Sequence, residues 1–185
     1  WGRYEMDAPL LDAVKKEFSH TPYTFMIDFE CAYDLDGALK LASLADENLF
    51  ISMEGFIDDK LLDQSAVLKR KLPMMIIPAG YDNYSADFIR EGIMKDAWDA
   101  GRFDITVVGG LSQALSLMTI ADQAELPIES QSWGNSLAQV ANLHLMLANE
   151  RTEYFEAPMP KDAFEFGMVN GNLLDDGMAK APDDA

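Results

Sequence analysis

The residues best suited to chemistry stand where short apolar runs stop. Asp28 and Glu30 end the run at 24–27, and Glu54 ends the run at 50–53. Ser130 and Gln131 close the stretch that begins at Pro127, and Glu156 closes Tyr154-Phe155. Ionised carboxylates offer hard oxygen ligands to a divalent cation, and a protonated one donates a hydrogen bond. A strand that ends on carboxylates and runs into a helix is one unit of an α/β enzyme. In such folds the strand tips hold the chemistry.

The elements that position these tips follow a regular rhythm. A helix is expected over 8–18, with Pro9 in its first turn and Leu10, Leu11, Val14 and Phe18 inward. A strand over 24–27 leads into a helix capped by Asp34, with Leu35, Ala38, Leu39 and Ala42 on one face. Strands at 50–53 and 74–77 precede helices at 61–71 and 86–100. A fourth strand is expected at 104–108, running straight into Gly109-Gly110, and Ser112 can cap a helix through 124. A fifth begins at 127–129, followed by a helix at 137–148 and a sixth strand starting at Tyr154. The tail, 157–185, is rich in Gly, Pro and Asp with little periodicity. Strands recurring about every 25 residues, each followed by a helix, predict a parallel sheet. No Gly-x-Gly-x-x-Gly follows the first strand, which weakens a dinucleotide site. Polar or acidic residues end most strands in turn, and a barrel collects such tips in one ring. The expectation is therefore an α/β, TIM-like barrel rather than an open sheet.

Composition bounds the function. The chain has 185 residues, 49% hydrophobic and 25% charged, which suits one globular domain. Its 14 Lys and Arg stand against 32 Asp and Glu, for a net charge of −18, so no basic stripe is available to neutralise nucleic-acid phosphates. The acidity reads as solubility. Cys31 is the one cysteine, which rules out an internal disulfide framework and a thiolate metal site. No apolar run reaches the length of a membrane span. With no signal peptide opening the chain, the expected compartment is the cytoplasm.

Three segments resemble the enolase superfamily, specifically its mandelate racemase and muconate-lactonising branch. They are Met26-Ile-Asp28 after an amphipathic helix, Gly109-Gly-Leu-Ser-Gln-Ala-Leu115 before another, and Ser130-Gln-Ser-Trp-Gly134 leading to a helix with Leu143-His-Leu-Met-Leu147. Tyr154-Phe-Glu156 is similar to the family's last barrel strand. The resemblance covers nearly the whole chain in order. It implies an α/β fold, a (β/α)7β TIM-like barrel, with residues 1–185 covering about strands 3 to 8. On this alignment the N-terminal capping domain and two barrel strands lie outside the chain. The family's Lys-x-Lys would fall immediately before Trp1.

The resemblance also implies the chemistry. Members use Mg²⁺ to hold a substrate carboxylate while a base removes the neighbouring α-proton, through an enediolate. The expected substrate is a small-molecule carboxylate, a hydroxy or sugar acid, with dehydration favoured over racemisation or cycloisomerisation. The full-length protein is expected to be a homo-oligomer, with no nucleic-acid or membrane partner. Asp28 takes the place of the first metal ligand, and Glu30 stands near it. Where members show Glu-Glu-Pro, this chain has Phe50-Ile-Ser-Met-Glu-Gly-Phe56; counting from Asp28 selects Glu54, and counting back from Leu72-Pro73 selects Ser52. At the third ligand, Gly80 is followed by Tyr81-Asp82-Asn83, with Asp82 the candidate. Many members place an Asp on the sixth strand that orients a His on the seventh. Here the Asp-bearing loop is expected to be shortened away, and Gln131 takes the His position. Glu156 matches a position that in some members donates a hydrogen bond to the substrate carboxylate, which needs a neutral acid. His20 and His144 fall in a loop and mid-helix and carry no expected role.

Overall fold

The computed structural model describes residues 1–80, 85–167 and 173–181. They form two compact units, one of residues 1–80 and 91–100 and one of residues 85–90, 101–167 and 173–181.

The first unit is built from strand–helix repeats. Helix α1 (Tyr4–Phe18) starts a turn earlier than the 8–18 expected, and Pro9 lies inside it. The early start has a local cause. The Asp7 carboxylate accepts the Arg3 N–H at 3.0 Å, and Glu5 and Asp7 put negative charge in the first turn, where the helix dipole favours it. Strand β1 (Phe25–Asp28) is followed by α2 (Leu35–Ala42), β2 (Phe50–Glu54), α3 (Leu62–Lys71) and β3 (Met75–Ile77). Asp34 caps α2, its side chain accepting the Gly37 N–H at 2.8 Å. The three strands are parallel in the order β1-β2-β3.

Strand alternation then sorts the side chains. Ile27, Met53 and Ile76 are paired across the ladder and belong to one core with Ala38, Leu41 and Leu68. Each fully buried side chain of this size contributes roughly 1.5–3 kcal/mol. The next paired row, Asp28, Glu54 and Ile77, points to the opposite face.

Helix α4 (Ala86–Met94) is shorter than the 86–100 expected. Asp96 adopts a left-handed φ of 52°, which a continuing helix does not accommodate. The chain then returns to bury Trp98 on Gly92, where a Cβ would lie 2.0 Å from the indole ring.

The second unit pairs β4 (Gly101–Phe103) with β5 (Ile128–Ser130) in parallel, with α5 (Leu111–Gln123) between them and α6 (Ser136–Leu147) after. Helix α7 (Lys161–Phe164) and the hairpin of β6 (Leu174–Asp175) and β7 (Met178–Ala179) follow. Two expectations fail here. The fourth strand is 101–103, not 104–108. Asp104 starts a turn, its side chain accepting the Thr106 N–H at 2.7 Å and its carbonyl accepting from Val107 and Val108. The β-branched run Ile-Thr-Val-Val is thus overridden by an aspartate turn. Gly109 and Gly110, at φ of 96° and 105°, carry the chain into α5, so the helix starts at Leu111 without a side-chain cap from Ser112.

The sixth strand expected from Tyr154 is also not formed. Side chains take the place of its ladder. The Glu129 carboxylate accepts the Tyr154 N–H at 3.0 Å, and Ser132 donates its N–H to the Glu156 carboxylate and its hydroxyl to the Glu156 carbonyl.

Candidate active site

Two groups of polar residues lie at strand ends, one in each unit. In the first unit, Asp28 and Glu54 end adjacent strands and are paired in register. Both are half-buried on the face away from the helices that cover Ile27 and Met53. Glu54 stands beside Asp28, while Ser52 pairs with Met26 two residues deeper.

The backbone around the pair is bent to fit. Glu30 and Cys31 have φ of 52° and 56°, and Gly55 has φ of 51°. A Cβ at Gly55 would lie 3.0 Å from Ala79 and 3.3 Å from an Asp28 carboxylate oxygen, so a side chain there would press on the acid. The Glu30 N–H donates to Asp28 Oδ1 at 2.8 Å, and Cys31 N–H to the Gly55 carbonyl at 2.6 Å. Asp59 holds the end of β3, accepting from Ala79 N–H at 2.8 Å and Gly80 N–H at 3.1 Å. The Asp28 charge, aided by burial, holds the Glu30 carboxyl above the ordinary glutamate range. Burial, with the nearby Asp59 charge, pushes the Cys31 thiol up to about 11, so it is not a nucleophile at neutral pH.

A concentration of carboxylate oxygens under mutual repulsion suits a hard cation. Asp28 and Glu54 are the paired strand-end carboxylates that could offer oxygens to such an ion. Among the described residues no cluster of three or more His, Cys, Asp or Glu side chains is arranged to hold a metal. The third candidate, Asp82, lies outside the described residues.

In the second unit the tips of β4 and β5 are joined. Phe103 pairs with Ser130, so Asp104 and Gln131 each stand one position beyond the paired ends. Asn142 of α6, fully buried, ties the tips together. Its Oδ1 accepts the Ile105 N–H at 3.0 Å and the Ser130 hydroxyl at 2.7 Å, and its Nδ2 donates to Asp104 Oδ1 at 3.1 Å. Gln131 is 3% exposed, and its Oε1 has no hydrogen-bond partner among the described residues.

Below these tips lies a charged row. Arg102 pairs in register with Glu129, and its guanidinium meets Glu156 Oε1 at 3.0 Å. Burial raises the Glu129 carboxyl above its ordinary range, against the opposing effects of the Tyr154 N–H and Arg102. Glu156 accepts on both oxygens, from Arg102 and from Ser132 N–H. Its Oε1 thereby fixes the Arg102 guanidinium.

Asp104 is the residue sequence reasoning missed. Ending the strand at Val108 hid an aspartate that follows β4 directly and stands at its tip. The signal was the lone aspartate after Phe103, a turn former before a β-branched run. Asn142 and Arg102 gave a weaker signal: an amide and a guanidinium inside otherwise apolar periodic stretches.

A family model described as "Enolase C-terminal domain-like" matches residues 1–185. Among solved structures, one described as a mandelate racemase/muconate lactonizing enzyme from Pseudovibrio sp. is 27% identical, with a TM-score of 0.84. The similarity covers 89% of this chain and 44% of that one. A muconate cycloisomerase from Azorhizobium caulinodans is also 27% identical, with a TM-score of 0.66 over 79% of this chain and 41% of that one. A protein described as a mandelate racemase from Bordetella bronchiseptica RB50, 21% identical with a TM-score of 0.79, shares the fold over 91% of this chain and 48% of its own. The chain spans less than half the length of each of these. No curated protein matches it.

Proposed function

Because this chain belongs to the enolase C-terminal domain-like family, in its mandelate racemase/muconate lactonizing branch, we propose that it takes part in Mg²⁺-dependent removal of the α-proton of a carboxylate substrate. The fold is that of the family's (β/α)7β barrel domain, with β1 to β5 as the parallel strands of the α/β portion present. The observation that carries the proposal is the in-register pair Asp28 and Glu54 at adjacent strand tips.

The bound cation would supply positive charge where negative charge builds on the substrate carboxylate as its α-proton leaves. Asp28 and Glu54 would hold it, with Asp82 as the third oxygen donor. Gly55 leaves the Asp28 carboxylate room to turn toward the ion. Glu156 and Ser132 keep Arg102 in place below the tips of β4 and β5.

The finer reading is dehydration of a hydroxy or sugar acid. Racemisation needs a proton carrier on each face of the α-carbon. Gln131 stands where the family's histidine would be, and an amide does not carry a proton at neutral pH. One base remains in this reading, the lysine that the family places before Trp1. With one base, the α-proton of a 2,3-dihydroxy acid would pass to the lysine, and the β-hydroxyl would depart as water with a proton returned from an acid such as the lysine ammonium. The resulting enol would gain a proton at C3 and lose the one on its 2-hydroxyl oxygen, giving a 2-keto acid.

The test is incubation of the intact protein with Mg²⁺ and a panel of sugar acids in D2O. A 2-keto product is expected. Deuterium entering the α-position with inversion, and no keto acid, would overturn dehydration. The same Gln131 also favours a second reading, a divergent barrel that binds or supports a partner without metal chemistry. No turnover together with no bound metal would select it.

A further inference from the structure

We infer that the outer face of α5 is a self-association surface, on which a second copy of this chain docks antiparallel about a two-fold axis. The sequence sets this face apart. No residue from Ile105 to Ala121 carries a charge, in a chain with 14 Lys and Arg and 32 Asp and Glu. Ala114, Leu117, Met118 and Ala121 are buried and seat one side of the helix in the second unit. The other side is open. Leu111 is 51% exposed and Leu115, one turn on, is 47% exposed. Ser112, Ser116 and Thr119 line the middle of the exposed face. Two of these hydroxyls turn back onto their own helix, Ser116 donating to the Ser112 carbonyl at 3.0 Å and Thr119 to the Leu115 carbonyl at 2.8 Å. Covering them therefore strands no donor.

Charge at the two ends of the helix selects the occupant. The start of α5 has no side-chain cap and no acid in its first turn, so its own side chains leave the positive end of the helix dipole unanswered. The approach to it is open: a Cβ added at Gly109 or Gly110 would meet nothing within 4 Å. Asp122 lies about three turns beyond Leu111 on the same edge of the helix, its carboxylate exposed beside Arg151. An antiparallel pair centred between Leu115 and Ser116 sets Asp122 of each copy opposite Gly109 of the other. Each uncapped start then gains a carboxylate, twice over by symmetry, and the apolar middles meet without burying a charge. A nucleic acid or anionic membrane is repelled by the net charge of −18, and a basic partner finds no carboxylate between Ile105 and Ala121. A face of this kind measures on the order of a few hundred Å². That is below the roughly 800 Å² per partner of a standard stable interface, so the pairing is weak and reversible.

The test is sedimentation velocity of the intact protein up to a few hundred micromolar, for the native chain and for Leu115→Glu. The half-exposed position leaves that glutamate solvated in a single copy, but across the two-fold axis it faces its own counterpart. The native protein is expected to show a reversible doubling of mass with concentration, weakened at least about tenfold by Leu115→Glu. A second variant, Ser116→Cys, brings two thiols together across the axis. Under mild oxidation it should form a covalent dimer at least about tenfold faster than Ser43→Cys, which places its thiol at an exposed serine of the first unit. Cys31 is present in both variants, so its contribution cancels. A native mass that never rises with concentration and is the same in Leu115→Glu would overturn the inference. Association that survives unchanged in Leu115→Glu would also overturn it, as would Ser116→Cys crosslinking no faster than Ser43→Cys.

Discussion

Asp28 and Glu54 are direct neighbours across a parallel ladder, both at the last residue of their strands. Like charges placed opposite each other in a sheet are destabilising, so without a cation the pair works against the fold. Asp28→Asn keeps an oxygen for the Glu30 N–H and removes the repulsion. In a chelator, this variant should melt at or above the native temperature, with a gain of up to about 1 kcal/mol. Thermal unfolding followed by circular dichroism checks it, and a clear loss of stability would make Asp28 a structural residue.

Asn142 has the opposite profile. It is fully buried and joins Ile105, Ser130, Asp104 and the Ala138 carbonyl. Asn142→Leu preserves volume and strands those partners. A loss of about 3 kcal/mol is expected, since each buried group left unmet costs roughly 1–3 kcal/mol and strain relief recovers part. Urea denaturation gives the value; a shift below about 0.5 kcal/mol would mean the network is solvated.

How much of this was legible in the sequence depended on which force set each element. The βα rhythm, the Asp34 cap and the carboxylates at β1 and β2 were readable, because buried apolar runs and helix caps are local signals. The β4 boundary was not. A run of β-branched residues argued for a strand at 104–108, and one aspartate side chain bonding its own turn outweighed it. The Tyr154 segment misled for a longer-range reason. Its path is held by bonds with Glu129 and Ser132, residues over twenty positions away. The choice between Glu54 and Ser52 could not be made from spacing, because counting from either side gave different answers. Strand register sets Glu54, not Ser52, opposite Asp28.

The Arg102–Glu156 contact, at 3.0 Å with the Arg102 side chain 7% exposed, holds the segment that Tyr154 begins. Arg102→Met leaves Glu156 without its cation and Glu129 without its compensating charge. A destabilisation of about 3 kcal/mol is expected, as for removal of one partner from a buried pair. Arg102→Met combined with Glu156→Gln should recover part of the loss in the same denaturation assay. A double variant no better than the sum of its singles would show that the two residues act independently.

Glu129 sets a pH dependence. Burial disfavours its charged form, so the folded chain holds this proton to higher pH than the unfolded chain does. The group's contribution is therefore most favourable below the ordinary glutamate range, and is lost as pH rises through the raised folded value. Glu129→Gln still offers an oxygen to the Tyr154 N–H but cannot ionise. Relative to native protein, the variant should gain stability as pH rises through the ordinary glutamate range to the raised folded value, and hold level above it. Denaturant midpoints across that range check the slope, and parallel curves would contradict it.

The most direct measurement of the account is Mg²⁺ titration calorimetry on the intact native protein and on Asp28→Asn and Glu54→Gln. Each substitution removes one charged oxygen from a hard-ion site. The account predicts one Mg²⁺ bound by the native protein and affinity at least about tenfold weaker in each variant. Mg²⁺ affinity unchanged by both substitutions, or no Mg²⁺ bound by the native protein, would contradict it.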